Sequence, residues 1–232
     1  MLLYVVRHGN PDYANDSLTE EGFKQAEALG KRLEQSRINR VFSSPNGRAR
    51  KTAEPTCRRL GLEMNIENWM SEDLNTGLSH RNGGWCFWIP CEEAKSDETL
   101  SYGDRWYDAP AYADTVDGEK RFREITEASD DLTERLGYRR EGRVYRVLRK
   151  NEEKVAAFCH MGTGLTWISY LLGLSPAVFW SCFDICTSGV TVLDFGSGEE
   201  ETLTSPVCLC HSDMSHIYES GLSMNYGNGS VL

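Results

Sequence analysis

Hydrophobic positions along this chain follow two patterns, short apolar runs and segments in which apolar residues return every three or four positions. Such runs are typical of strands buried on both faces of a parallel sheet, and the second spacing is typical of amphipathic helices. The apolar runs predict strands at residues 2–6, 38–42, 155–159, 190–195 and 203–210. Helical spacing predicts one helix that opens with Ser17 or Thr19 as its cap, and others at about 48–60, 119–136 and 165–172.

The alternation of strands and helices predicts an α/β fold, a three-layer sandwich with a mostly parallel central sheet flanked by helices. No shift in composition marks a linker, so residues 1–232 are expected to form a single domain. The segment after residue 214 is rich in Gly, Ser and Asn and is predicted to be loose. In sheets of this kind, ligands bind outside the carboxyl ends of the strands.

The pattern breaks at about residues 76–117, where periodicity is poor and aromatic residues are dense. So many aromatic side chains argue against a solvated linker, and the segment is interpreted as an ordered insertion that forms a lid or pocket wall. Trp85, Trp88 and Trp106 either offer an apolar surface to the organic part of a ligand or attach the insertion to the core. The sequence leaves both interpretations open.

Composition narrows the classes of function. Of 232 residues, 40% are hydrophobic and 26% are charged, which argues against a disordered chain. The net charge of −10 argues against nucleic-acid binding, which depends on clustered Lys and Arg. No apolar stretch approaches the roughly 20 residues of a membrane-spanning helix, and the first apolar run lacks signal-peptide features. We therefore expect a cytoplasmic protein in which an anionic ligand needs a local cationic pocket.

Eight cysteines raise the question of disulfides or a metal site. Disulfides are not expected in the cytosol, and no C-x-x-C pair is present. Strand alternation places Cys208 and Cys210 on one face, next to His211, but no second pair has zinc-ligand spacing. Buried small hydrophobic residues are the preferred interpretation, and no metal is predicted.

Cationic and imidazole side chains stand at the ends of two predicted strands and at the start of one helix. Arg7 and His8 end the first strand, His160 follows the strand at 155–159, and Arg48 begins the helix after the second strand. A parallel sheet would bring these four residues to one edge. A positive charge such as that of Arg48 is unfavourable at a helix N-terminus, unless the side chain and the helix N-terminus both face a bound anion.

Several spaced motifs resemble one family. Arg7-His8-Gly9, the run at residues 18–22 followed by Gln25-Ala26, and the segment 43–53 are similar to the histidine phosphatase superfamily, in its phosphoglycerate mutase-like branch. His160 matches the second histidine of that family. The resemblance runs in register over residues 1–60 and again over about 154–195, and no motif covers the insertion.

The resemblance implies phosphoryl transfer through a phosphohistidine. His8 would be the nucleophile, with its other ring nitrogen held by a backbone carbonyl, and a neutral imidazole suits this role. Arg7, Arg48 and His160 would bind the phosphoryl oxygens, and Asn10 could donate a further hydrogen bond. No metal or cofactor is required, because the arginines neutralise the charge.

The leaving alkoxide needs a proton, and the family supplies a Glu in the loop that opens the insertion. Glu72 fits by its spacing to Met70, and Asp73 is the alternative acid because Gly77 lies at a better distance from it. Both could instead be ordinary surface acids. His80 and Arg81 could read extra anionic groups of a substrate.

Two departures from the family pattern bear on the substrate rather than on the chemistry. Asn10-Pro11 stands where relatives carry Glu or Gln followed by Ser or Thr, and Met161 stands where a glycine is common.

The expected function is a metal-independent phosphomonoesterase acting on a small cytosolic phosphoester. A phosphoglycerate mutase-type transfer and a catalytically silent phospholigand-binding module are the alternatives. Substrate identity and homo-oligomer formation stay open.

Overall fold

The chain folds around a six-stranded sheet, and the computed structural model describes residues 1–72 and 84–224. The strands within these ranges are β1 (Leu2–Arg7), β2 (Pro11–Asp12), β3 (Ser17–Leu18), β4 (Arg40–Ser43), β5 (Met64–Ile66), β6 (Tyr138–Glu141), β7 (Val144–Val147), β8 (Lys154–Cys159), β9 (Val190–Asp194), β10 (Leu203–Thr204) and β11 (Val207–Asp213). The α-helices are α1 (Glu20–Ser36), α2 (Gly47–Leu60), α3 (Cys91–Ala94), α4 (Asp97–Ser101), α5 (Gly118–Arg135), α6 (Met161–Leu171), α7 (Pro176–Cys182) and α8 (Ser215–Glu219). Short 3-10 helices lie at Tyr13–Asn15, Asn68–Met70, Cys86–Trp88, Gly103–Asp108 and Pro110–Tyr112.

The main sheet has the strand order β11-β9-β1-β8-β4-β5. Strands β1, β8, β4 and β5 run parallel, and β9 is antiparallel to both of its neighbours, β1 and the edge strand β11. Helices cover both faces, so the predicted α/β fold with a mostly parallel sheet is confirmed. Alternate residues of β1 show the two layers, because Leu3 and Val5 pack in the core under α5 and α6 while Tyr4 and Val6 pack under α1 and α2.

The first helix begins where the sequence predicted a cap. Of the two candidates, Thr19 caps α1, because its hydroxyl oxygen accepts the N–H of Gly22 at 3.1 Å. Strand β1 likewise spans the predicted run and extends it to Arg7.

The strand predicted at 203–210 is wrong, because two strands in different sheets occupy this segment. Strand β10 joins a separate sheet of order β10-β7-β6, and β11 pairs with β9 in the main sheet. Pro206 lies between them, and proline cannot donate to a ladder, which ends the first pairing. The β6–β7 hairpin was not predicted, since its strands carry many arginines and lack an apolar run.

Helix α6 begins four residues earlier than predicted, directly after His160. Glycines at 162 and 164 are unfavourable in a helix interior, and close packing explains the first of them. A Cβ on Gly162 would lie 2.1 Å from the ring of Phe87, so only glycine fits there. The prediction of a loose segment after residue 214 is also wrong for α8, in which His216 and Ile217 are buried. Residues 225–232 lie outside the described part.

The aromatic residues of the insertion form a cluster that continues into the core. Trp106 is fully buried, and its ring lies 4.7 Å from that of Trp180 and 5.2 Å from that of Tyr112. Trp106 therefore attaches this segment to the core, the second of the two interpretations. Trp88 is 62% exposed, and Trp85 stacks on Phe87.

Cys208 and Cys210 lie on opposite faces of the sheet, which corrects the sequence-based placement on one face. The pairing of β11 with β9 shifts between them, since Cys208 pairs with Leu193 and Cys210 with the next residue, Val192. Such a bulge reverses the alternation of side chains. Cys208 packs with the core under α6, and Cys210 packs with the core under α1. Across residues 1–72 and 84–224, no helix combines the length and apolar character needed to cross a membrane.

Candidate functional site

The two predicted histidines meet at the carboxyl edge of the parallel strands. Strands β1 and β8 are neighbours in register, with Arg7 opposite Cys159, so the residues that follow them leave the sheet together. The ring centroids of His8 and His160 are 5.1 Å apart, with the ring planes at 60°. This is the juxtaposition that the strand-end argument predicted.

His8 is held as a neutral imidazole with one free ring nitrogen. Its Nδ1 lies 2.7 Å from the backbone oxygen of Gly9, which can only accept, so the ring proton is on Nδ1 and Nε2 carries a lone pair. Burial, followed by the positive charge of Arg7, lowers the pKa of His8 to about 3. The Gly9 N–H donates to Thr52 Oγ1 at 2.9 Å and thereby ties the loop to α2.

His160 is fully buried and is anchored on one side only. Its Nε2 lies 2.8 Å from Ser44 Oγ, and the Ser44 hydroxyl donates to Asn46 Oδ1 at 2.9 Å, so His160 Nε2–H donates to Ser44. Within the described ranges, His160 Nδ1 has no hydrogen-bond partner. Burial, then the proximity of His8 and the arginines, holds the pKa of His160 well below its usual value.

Two arginines at this edge are nearly buried, with Arg7 8% and Arg48 7% exposed. Arg7 donates through Nη1 to the backbone oxygen of Ile185. Arg48 donates from Nη1 to Asp16 Oδ1 at 2.8 Å and from Nη2 to the Glu72 backbone oxygen at 2.5 Å. Neither Nε atom has a partner in the described part of the chain. Both guanidinium groups are thus oriented by fixed acceptors and keep donor capacity.

Asp16 is a site residue that the sequence reasoning missed. Its Oδ2 accepts the N–H of Gly47 at 2.6 Å, so it caps the N-terminus of α2 while its Oδ1 pairs with Arg48. The Asp16 carboxylate therefore supplies a negative charge at the N-terminus of α2, and this charge offsets the unfavourable interaction of the Arg48 guanidinium with the helix dipole. The cap and the helix are separated by 31 positions, so no local pattern predicts it.

Glu72 is a buried acid and not a surface carboxylate. It is 9% exposed, and its Oε1 accepts the backbone N–H of Thr163, in the first turn of α6, at 2.6 Å. Burial raises the pKa of Glu72, against the opposing effects of the Thr163 N–H and of Arg7. The alternative acid Asp73 lies outside the described residues, as do Gly77, His80 and Arg81.

Asn10 and Tyr13 border the histidine pair. The Asn10 N–H donates to Gln25 Oε1 at 2.8 Å, and its Oδ1 accepts the Thr19 hydroxyl at 3.1 Å, which leaves Nδ2 as its remaining donor. Tyr13 is 68% exposed, and its ring centroid lies 6.5 Å from that of His8 and 5.5 Å from Cζ of Arg48. Sequence reasoning did not identify Tyr13, since one aromatic residue in a polar loop carries no pattern.

The chain resembles known phosphatases and one mutase. It is 24% identical to "Putative phosphoserine phosphatase 2" of Hydrogenobacter thermophilus, over 90% of this chain and 97% of that protein. It is 31% identical to "Probable phosphoglycerate mutase GpmB" of Photorhabdus laumondii, over 34% of this chain and 40% of that protein. The fold matches that of an Entamoeba histolytica phosphoserine phosphatase in complex with 3-phosphoglyceric acid, with a TM-score of 0.62, 20% identity, and coverage of 93% of this chain and 98% of that one.

A family model ties these likenesses to the sequence motifs. The model of the histidine phosphatase superfamily (branch 1) matches residues 3–205, which include His8, His160 and helix α2 with Arg48 in its first turn. Family and relatives together support a phosphatase or mutase-type role. Because the match extends over most of the chain and through every element of the site described above, the protein belongs to the histidine phosphatase superfamily.

Proposed function

We propose that this protein is a phosphomonoesterase that acts through a phosphohistidine on His8, without a metal ion. The observation that carries the proposal is the neutral, buried His8 whose Nδ1–H is held by the Gly9 carbonyl. This contact leaves Nε2 as a nucleophile of defined direction beside a second imidazole. Covalent catalysis of this kind divides hydrolysis into two easier displacements.

In the first displacement, His8 Nε2 attacks phosphorus, the P–N bond forms and the P–O bond to the alcohol breaks. The leaving alkoxide takes a proton from Glu72, whose pKa is raised by burial, the direction that favours the protonated acid. In the second displacement, water attacks phosphorus and the P–N bond breaks. Glu72 takes the proton of that water, which regenerates the acid and releases phosphate.

The phosphoryl oxygens would be held by Arg7, Arg48 and His160, with Asn10 Nδ2 as a further donor. Of the two ring nitrogens of His160, Nδ1 has no hydrogen-bond partner among the described residues, and it donates only when the ring is protonated. The negative charge of a bound phosphoryl dianion favours protonation of His160, because an adjacent negative charge raises the pKa of an imidazole. Binding of the phosphoryl group is therefore expected to be coupled to uptake of a proton by His160.

Small phosphoesters are the proposed substrates, and the aromatic insertion is proposed as the pocket wall. The Hydrogenobacter thermophilus and Entamoeba histolytica relatives are named phosphoserine phosphatases, and 3-phosphoglyceric acid is bound in the latter. Phosphoserine and 3-phosphoglycerate are therefore the first compounds to assay. The half-buried Trp85, stacked on Phe87, is the insertion residue proposed to face the organic part of the substrate.

Mutase-type transfer is the second candidate, favoured by the likeness to the Photorhabdus laumondii protein. It would return the phosphoryl group to another hydroxyl of the substrate instead of to water. Incubation with 3-phosphoglycerate and a bisphosphoglycerate primer separates the two reactions. Release of free phosphate supports the phosphatase, whereas isomer exchange without release supports the mutase.

Hydrolysis of an aryl phosphate with and without a chelator tests the proposal directly. We expect full activity with the chelator and its loss in His8→Asn. His211→Asn is the matched control, since the hydrogen bonds of His211 within the described residues go to Thr191 and the Asp184 carbonyl. Loss of activity with the chelator, or unchanged activity in His8→Asn, would contradict the proposal. Binding of phosphoesters without turnover would indicate the silent module.

A further inference from the structure

A buried polar cluster outside the candidate site joins α1, the end of β11 and α8. Its members are Ser188, which is fully buried, His216, which is 2% exposed, and the ion pair of Arg32 with Asp213. His216 Nε2 lies 2.8 Å from Ser188 Oγ, and His216 Nδ1 lies 3.3 Å from Arg32 Nη1. Arg32 Nη1 also donates to Asp213 Oδ1 at 2.7 Å. The chemistry proposed above uses none of these groups.

The ion pair determines which nitrogen of His216 carries the proton. A guanidinium can only donate, so Arg32 donates to His216 Nδ1, and the single proton of the neutral ring is on Nε2. His216 Nε2–H therefore donates to Ser188 Oγ. Burial, followed by the charge of Arg32, lowers the pKa of His216 to about 4, so the ring stays neutral near pH 7.

Ser188 has a backbone conformation that serine rarely adopts. Its φ is +60°, in the left-handed region, where a Cβ is unfavourable. In this conformation its backbone N–H donates to the carbonyl oxygen of His8 at 3.0 Å. Residues held in such regions persist where surrounding contacts determine them, and the bond from His216 to the Ser188 hydroxyl is such a contact.

The turn that contains Ser188 also holds Arg7. The Arg7 backbone N–H donates to the Gly189 oxygen at 3.2 Å, and its guanidinium donates to the Ile185 oxygen. Residues 185–189 therefore contact Arg7, the last residue of β1, and His8, which follows it. A small displacement of this turn would move the His8 backbone and the Arg7 guanidinium group together.

We propose that His216 is a positioning residue for phosphoryl transfer: its hydrogen bond to Ser188 holds the 185–189 turn against the backbone of His8. The proposal rests on the function proposed for His8. It gives α8 a role in the reaction, although α8 lies at the far end of the chain from β1. A purely structural His216 would anchor α8 and leave the geometry of His8 unchanged.

A double-mutant cycle between His216 and Ser188 distinguishes these roles. His216→Phe keeps an aromatic ring and removes the hydrogen bond, and Ser188→Gly supplies a residue that adopts positive φ without strain. In the native background, we expect His216→Phe to lower kcat for an aryl phosphate roughly tenfold, with KM changed less than about twofold, because displaced reacting groups lose rate. In the Ser188→Gly background, the same change should lower kcat less than about threefold, because the backbone no longer depends on His216.

Two further variants separate positioning from loss of stability. In His216→Gln the side-chain amide can donate near the position of Nε2, and most of the lost kcat should return. Ile217→Ala is the control, since Ile217 is buried on the same helix and packs with Met214 and with Cys186 of the turn, so this change loosens the packing of α8 but keeps the His216–Ser188 hydrogen bond. We expect this variant to lower the melting temperature and to keep kcat.

Three results would overturn the proposal: an equal loss of kcat from His216→Phe in both backgrounds, an unchanged kcat in His216→Phe, or a matching loss in Ile217→Ala. A separate measurement, whether His8 of the native enzyme becomes labelled with phosphate, distinguishes failure of this proposal from failure of the proposed function. A native enzyme that carries the label while His216→Phe retains kcat contradicts the positioning role alone. A native enzyme that turns over without label on His8 contradicts both proposals.

Discussion

At the scale of single residues, the proton on each group determines what the site can do. His8 has its proton on Nδ1 because the Gly9 carbonyl can only accept, and this leaves Nε2 for phosphorus. For Glu72, burial raises the pKa of the carboxyl and so favours its protonated form. The proposed nucleophile is thus neutral near pH 7, and burial shifts the proposed acid toward its protonated form, which is the direction that its role needs.

Replacement of Glu72 by glutamine tests its proposed role as the acid. An alkyl phosphoester has a poor leaving group that needs a proton, so we expect Glu72→Gln to lower its kcat roughly 10²- to 10³-fold. An aryl phosphate has a leaving group that departs unprotonated. For this substrate, Glu72→Gln should lower kcat less than about tenfold. Steady-state rates for the two substrate types measure this difference. An equal loss on both would show that Glu72 acts only through structure, by its bond to Thr163.

How far residues could be predicted from sequence depends on whether their role is local. His8 and His160 were predicted to meet because each follows an apolar run, and neighbouring parallel strands bring such positions together. The sequence placed Ser44 only within the family-like segment 43–53 and gave no sign of Asp16, because their partners His160 and Gly47 come from distant segments. A pairing that arises only in the folded chain leaves no periodic pattern.

At the scale of elements, helix α2 depends on a cap from another segment. Asn46 stands at its N-cap position but makes no capping hydrogen bond, and Asp16 supplies that bond and a negative charge. We expect Asp16→Asn to lower the free energy of unfolding by about 1 kcal/mol, because the charge at the helix terminus and the ion pair with Arg48 are lost.

Urea denaturation measures the effect of Asp16→Asn, and Asp12→Asn is its control. Asp12 undergoes the same change in charge but caps only the short helix Tyr13–Asn15, so its effect should be clearly smaller than that of Asp16→Asn. Equal effects of the two substitutions would show that the Asp16 cap contributes no stability of its own to α2.

Elements with a strong apolar pattern were predictable, and those stabilised by tertiary contacts were not. Strands β1, β8 and β9 occupy the predicted runs with shifts of one residue at an end, whereas the arginine-rich hairpin β6–β7 has no such run. Helix α8 was predicted as loose because its surroundings are polar in composition. Its buried His216 and Ile217 instead pack against residues from other segments.

At the scale of the whole molecule, three buried neutral histidines make stability depend on pH. The pKa is lowered to about 3 in His8 and to about 4 in His216, and lies well below its usual value in His160. Each imidazole has a pKa of about 6.5 when unfolded, so the unfolded chain binds more protons as the pH falls below that value. Glu72 and Asp130, whose pKa values are raised by burial, act in the opposite direction, whereas the lowered pKa of His211 adds to the effect of the three buried rings.

We therefore expect the free energy of unfolding to fall as the pH is lowered from about 7 to about 5, by up to about 2 kcal/mol for each histidine. In His216→Gln one of these contributions is removed, and the decrease should be smaller by about 2 kcal/mol. Urea denaturation at the two pH values measures both. A native protein whose stability is unchanged or higher near pH 5 would contradict the buried neutral state of these rings.

The central claim is that His8 Nε2 forms a bond to phosphorus, and trapping that bond tests it most directly. Enzyme mixed briefly with a phosphate-labelled aryl phosphate and quenched in alkali should carry the label on the peptide that contains His8. Phosphohistidine is labile in acid, so acid should remove the label, and His8→Asn should carry none. Label on a serine, on a cysteine or on His160, or turnover without labelled enzyme, would contradict the account.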